Sequence, residues 1–256
     1  MSTATATLDA PRSLARPSLS RLTLVELRKM TDTRAGFWLQ LAVVALTVVV
    51  VGVVCLVGHA QDQTLREMLN VAVQPASVLF PVMGVLLVTS EWSQRTTLIT
   101  FTLVPHRSRV MAAKLLASVV LSLAALAVAF VVAIAGTAIA APDVANVWTL
   151  PGALFVQIVI VLATGMLGGV AFGAVLLASA PAIVALFALP LVTGAVGSIH
   201  ALEGVARWID STRALAPMTD HVMDGSEWAH AGTALVLWLV LPALVGLWRV
   251  ARSEVS

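Results

Sequence analysis

The chain has 256 residues, 59% of them hydrophobic and only 11% charged, with a mean hydropathy of +0.99. Globular domains are about half apolar and a quarter charged, so water is not this protein's main solvent. A net charge of +2 is too small to argue for nucleic acid as a partner, and the one cysteine, Cys55, excludes an intrachain disulfide and a cysteine-based metal site.

In chain order, residues 1 to 17 carry Pro11, Pro17 and many small polar residues, and read as a disordered cytoplasmic tail. Residues 18 to 256 are expected to form a single transmembrane domain. The first 36 residues hold six basic side chains and no apolar core of a cleavable signal, so the N-terminus is expected to be retained. Leu19 to Arg34 predicts a surface helix with Leu24, Leu27 and Met30 on one side. The pattern is imperfect, because Leu22 and Val25 fall among the charges of Arg21, Arg28, Lys29 and Asp32.

Uncharged runs then extend from Phe37 to Gly58, Val71 to Ser90, Leu115 to Pro142, Val147 to Ile199 and Thr233 to Trp248. A span needs about 20 apolar residues. The fourth run is too long for one helix and is interrupted at Ser179-Ala180-Pro181, where proline removes a backbone donor, so it splits into two spans. The expected fold is all-α and polytopic, with six transmembrane helices. An even count puts both termini on one side. With that side cytoplasmic, twelve basic residues lie inside and three, Arg66, Arg207 and Arg213, lie outside, as the positive-inside bias requires.

Gly165, Gly169 and Gly173 recur every fourth residue and give one helix a face that allows close backbone approach, either as a sliding or dimerising contact or as static packing. Pro75, Pro81 and Pro190 lie within the second and fifth spans, where they free carbonyls and permit kinks, and helices with such defects often line cavities. No ionisable residue falls near the middle of a span. The deepest polar groups are Thr47, Gln74, Thr137, Gln157, Thr164 and Thr193. A gradient-driven carrier generally needs an intramembrane charge, so that class is disfavoured. No nucleophile–base pair, metal motif or phosphate-binding loop is present either, so no catalytic site or bound cofactor is expected on this chain.

Between His200 and Gly232, Leu202, Val205, Ala206 and Ile209 predict an external helix with Trp208 as an interface anchor, broken at Pro217. His221, Asp224, Glu227 and His230 recur every third residue, but a solvated surface is the better reading than a metal site.

The connection between the second and third spans is the most distinctive soluble segment. Pro105 disfavours helix at Val104 and Ser108 can cap the helix that follows. Leu98, Phe101 and Leu103 are apolar side chains placed outside any span, where they bury in the membrane interface or dock on a partner. From Ser90 to Lys114 the segment resembles the corresponding loop of type-2 permeases of ABC exporters. There a glutamate closes the second span, a threonine-containing amphipathic stretch follows, then a proline, a basic residue, and a lysine early in the third span. Glu91, Thr96, Pro105, Arg107 or Arg109, and Lys114 match those positions. Where the family often has Gly-Thr, this chain has Arg95-Thr96-Thr97.

The resemblance implies a permease domain that pairs with a second permease copy or a related chain. It implies cytoplasmic ABC ATP-binding subunits that supply ATP hydrolysis, and a seat in a cell membrane, among lipid, of the bacterial plasma type. The loop would be the ATPase-coupling element, the surface helix would contact the ATPase, and the external helix would cap the outer mouth of the path. Gln74, Ser77, Thr193 and Ser198 are the candidate path residues, and an apolar wall suits a hydrophobic or amphipathic substrate. The competing classes are a non-transport membrane scaffold or assembly factor and, behind it, a gradient-driven carrier.

Overall fold

Two helices meet at Thr33. In the computed structural model, which describes residues 17–93, 107–199 and 203–252, α1 (Leu19–Asp32) starts at Ser18, whose hydroxyl accepts from the Arg21 N–H at 3.3 Å. Thr33 is extended, with ψ 143°, and its hydroxyl caps α2 (Arg34–Val57) by accepting from the Gly36 N–H at 3.2 Å. The turn closes tightly enough that a Cβ on Gly36 would overlap the Met30 carbonyl, so only glycine fits there.

Four more long helices follow: α3 (Leu65–Ser93), α4 (Arg107–Ala140), α5 (Gly152–Leu176) and α6 (Ser179–Gly197). Three short ones come next, α7 (Glu203–Ile209), α8 (Ser211–Leu215) and α9 (Pro217–Asp220). The last span runs through α10 (Gly225–Leu235), a π-helical segment (Val236–Val240) and α11 (Leu241–Arg252). Six helices are long and apolar enough to cross a membrane, which makes this an all-helical, multi-pass membrane architecture.

Several spans are longer than the uncharged runs. The second starts at Leu65 rather than Val71, the third at Ser108 rather than Leu115, and the last at Gly225 rather than Thr233. A helix satisfies its backbone internally and so continues past the apolar stretch that demands it. The 34 residues of α4 rise about 50 Å, well beyond a hydrocarbon core of about 30 Å. The break in the longest run sits just upstream of the expected tripeptide. Leu177 ends α5 at φ 55° and Ala178 is extended. Pro181 is tolerated because it falls in the first turn of α6, where N–H groups have no intrahelical acceptor.

α3 and α5 form the centre of the bundle and are mostly buried, with Phe80, Leu162 and Met166 among the fully enclosed side chains. The glycine stripe of α5 faces α3. A Cβ on Gly165 would sit 3.6 Å from Pro81 Cγ and one on Gly173 would sit 3.0 Å from the Val85 carbonyl, while one on Gly169 would overlap the Pro81 carbonyl. The stripe packs within the chain, against α3. By contrast α2, α6 and the last span expose most of their apolar residues, Leu56 at 86% and Leu191 at 74%, as lipid-facing helices do.

α1 turns inward two of the three apolar residues expected on one side, and differs at Leu24. Glu26 and Met30 are buried and Leu27 partly so, while Leu24 and Val25 are exposed. Its inward face combines the apolar contacts of Leu27 and Met30 with the ion pairs of Glu26 and Lys29. Val250 of α11 lies beside Glu91 and Lys114, so the described ends of the chain share one end of the bundle. At the other end Arg66 donates to the Asp220 carbonyl of α9.

Candidate functional site

At the end of the bundle that carries α1, four charged side chains converge from three helices. Lys114 lies two turns into α4, about 10 Å along its axis. Its ammonium donates to Glu26 Oε2 at 2.7 Å, to Glu91 Oε1 at 2.9 Å and to the Leu87 carbonyl at 3.1 Å. Lys29 closes the ring by donating to Glu26 Oε1 at 2.9 Å and to Glu91 Oε1 at 2.6 Å. Lys114, Glu26 and Glu91 side chains are 4%, 5% and 10% exposed, whereas Lys29 is 37% exposed. Two positive and two negative charges cancel, which is what permits their removal from water.

Burial works against the charge on Lys29, but the carboxylates of Glu26 and Glu91 outweigh it and hold its ammonium above the ordinary lysine range. A raised lysine stabilises the fold at all pH below its unfolded value and loses that contribution only as pH climbs through the higher folded one. The contribution of Lys29 is therefore insensitive to pH near neutrality and is lost only in strong alkali.

This site brings together two of the loop residues that the sequence singles out, Glu91 before the loop and Lys114 after it. Arg109 is placed differently. Its guanidinium donates to the Pro17 carbonyl at 2.8 Å and holds the chain leading into α1. Arg95, Thr96, Leu98, Phe101 and Pro105 lie outside the described residues, and Arg107 is described only as the first residue of α4. Sequence reasoning missed Glu26 and the pairing role of Lys29. The available signal was an acidic residue three positions before a lysine in an otherwise basic pre-membrane helix, a spacing that puts both on one face.

A second feature lies deeper in the bundle. A partly open cavity of about 680 Å³ is lined by α3, α5, α6, α8 and the π-helical segment, with Pro81, Phe172, Phe187, Pro190 and Trp238 among its walls. Pro81 and Pro190 thus do line a cavity, while Pro75 is buried in α3 away from it. Ser77 and Gly165 reach it as well. Thr193, Gln74 and Ser198 are not among its walls. Thr193 and Ser198 donate to their own helix at the carbonyls of Pro190 and Ala195, and Gln74 donates to Asn70.

The cavity is closed at one end by the short helices. Asp210, 1% exposed, caps α8 by accepting from the N–H groups of Thr212 at 3.0 Å and Arg213 at 3.4 Å, and pairs with Arg213 Nε at 3.5 Å. Trp238 donates its indole N–H to the Ile209 carbonyl at 2.7 Å and stacks on Phe172 with centroids 6.5 Å apart. Gln157, fully buried in α5, donates to the carbonyls of Met218 and His221 and accepts from the Met223 N–H. These bonds fasten the helical segment before the last span over one end of the bundle, and Pro217 opens α9 as its first residue rather than only ending what precedes it.

The four regularly spaced residues nearby are used structurally. His221 bonds Glu227 at 2.8 Å, Asp224 and Glu227 form a reciprocal capping box on α10, and His230 packs edge-on against Trp208 at 4.4 Å. Hydrogen bonds from Glu227 and Ser226 hold the Asp224 carboxyl below the usual carboxylate range. No group of three metal-binding side chains occurs among the described residues. No family model, no curated protein and no solved structure matches this chain.

Proposed function

We propose that this chain is the membrane-spanning permease subunit of an ATP-driven exporter of the ABC type. It works with a second permease chain and with cytoplasmic ATP-binding subunits, in a cell membrane of the bacterial plasma type, and carries no catalytic site of its own. The observation that carries this reading is the buried ion network. The segment of residues 94–106 is flanked by Glu91 and Lys114, which pair with each other and are tied to the surface helix through Lys29 and Glu26 respectively. Displacing the loop alone would separate charges that water cannot reach, so force applied there moves α1, α3 and α4 together. A partner that changes shape on ATP hydrolysis needs such a stiff receiver. The apolar cavity supports a hydrophobic or amphipathic substrate.

Orientation is the first test. In a Cys55→Ala background, cysteines at Asp62 and Asp220 are expected to react with an impermeant maleimide in intact cells, whereas one at Thr96 reacts only after permeabilisation. The opposite pattern puts the loop outside and ends the exporter reading.

Coupling is the second. Phe101→Asp or Leu98→Asp should leave the chain inserted, since neither residue lies in a span, yet weaken ATPase binding tenfold or more. An apolar side chain docked on a partner contributes on the order of 1.5–3 kcal/mol, and a buried unpaired carboxylate adds a desolvation cost. Arg95→Ala should do less, because a rim charge mainly steers encounter. Co-purification of the ATPase and substrate-stimulated ATP hydrolysis read the effect. Wild-type values in both aspartate variants would favour a scaffold with no transport role.

A further inference from the structure

We propose that the cavity between α3, α5, α6 and the π-helical segment binds a drug-sized amphiphile with an apolar body and a carboxylate head, the head resting on the Arg213 guanidinium. Three observations lead there. The volume of about 680 Å³ lies within the roughly 300–1,000 Å³ of small-molecule sites, and Phe172, Phe187 and Trp238 give it apolar aromatic walls. Gly168 opens onto it with nothing within 4 Å of where a Cβ would stand, so the space is not taken up by packing. Leu191, 74% exposed, forms a rim through which a molecule dissolved in the bilayer can enter.

The sign of the head follows from which charged group at the polar end is already satisfied. Asp210 is buried, and both its oxygens are engaged, by two backbone N–H groups and by Arg213 Nε. Arg213 is 44% exposed and spends only Nε on that pair, and among the described residues its terminal nitrogens have no other partner. A guanidinium with its terminal nitrogens free is a fork that matches a carboxylate. The hydroxyls of Ser211 and Thr212 line the same end and add polar contacts. A cationic head would meet an acid whose acceptors are occupied and, beside it, the positive charge of Arg213.

That this ligand is cargo rests on the exporter reading, but that it binds does not, so binding is measured on the purified chain without any ATPase. The chain is placed in phosphatidylcholine nanodiscs with palmitic acid carrying a chain-terminal diazirine, or with the matching hexadecanol, at equal loading. After irradiation, labelled peptides are quantified by mass spectrometry. The acid is expected to label segments 165–172 and 186–191 at least about tenfold more than the alcohol, with unlabelled palmitate competing. Arg213→Gln should bring the acid to within about twofold of the alcohol, Arg213→Lys should fall between, and Gly168→Leu should abolish labelling by both because it fills the space. Equal labelling by acid and alcohol in the unmodified chain would overturn the proposal, as would an unchanged Arg213→Gln. Loss of labelling when phosphatidylglycerol replaces phosphatidylcholine would also overturn it, since a bilayer lipid would then be the occupant. Should Arg213→Gln fail to fold, Arg213→Lys and Gly168→Leu still decide the result.

Discussion

Lys114→Met is expected to lower the stability of the folded chain by about 3–5 kcal/mol, the cost of leaving buried charge without its partner. In the native chain Lys114 satisfies two carboxylates and the Leu87 carbonyl in a pocket from which water is excluded. Methionine fills a similar volume but donates nothing, so Glu26 and Glu91, at 5% and 10% exposure, each lose the ammonium that joined them. The rescue separates charge from shape. Adding Glu26→Gln and Glu91→Gln to Lys114→Met removes the stranded charges and is expected to restore most of the loss, because apolar or neutral replacement of a whole buried ion cluster is often close to neutral. Lys29→Met alone should be far milder, since Lys29 is 37% exposed and screened by water. The measurement is the temperature at which purified protein in detergent loses its monodisperse peak. A wild-type midpoint for Lys114→Met, or a triple variant no better than the single one, would show that the network is not what holds these helices.

Gly169→Leu is expected to remove most of the folded protein. The first added carbon already overlaps the Pro81 carbonyl, and backbone cannot swing aside as a side chain can. Pro81 lies inside α3 with its φ fixed by the ring, and α3 is in the centre of the bundle, so relief requires α3 and α5 to separate along their whole contact. Overpacking costs about 1–3 kcal/mol where side chains can adjust, and here they cannot. Gly52→Leu is the matched control, because a Cβ on Gly52 of α2 meets nothing within 4 Å. Size-exclusion yield at equal expression reads both. If Gly169→Leu is as abundant as Gly52→Leu, the close contact of α3 with α5 is not needed for folding.

Much of this architecture is legible in the sequence because it depends on properties that each residue carries alone. The cost of putting a charge in hydrocarbon is paid residue by residue, so uncharged runs of about 20 mark the spans without knowledge of neighbours. The same holds for the break before Pro181, the spacing of Gly165, Gly169 and Gly173, and the separation of Arg66, Arg207 and Arg213 from the other basic residues.

Tertiary structure decided what depends on pairs. It made α3 and α5 the central helices and turned the glycine stripe towards Pro81. It also joined Glu26 to Lys114 across 88 positions of chain and Lys29 to Glu91 across 62. Hydropathy is nearly blind to how a span is rotated when the whole helix is apolar, so no pattern in α3 or α5 announces which face meets which. Polarity within a span fails as a guide to a path for a related reason. A threonine or serine can satisfy its hydroxyl on its own helix, as Thr193 and Ser198 do, and then needs neither water nor substrate. Asp210 and Arg213, remote from every uncharged run, reach the cavity only because α8 folds back over the bundle, fastened by the bonds of Gln157 and Trp238.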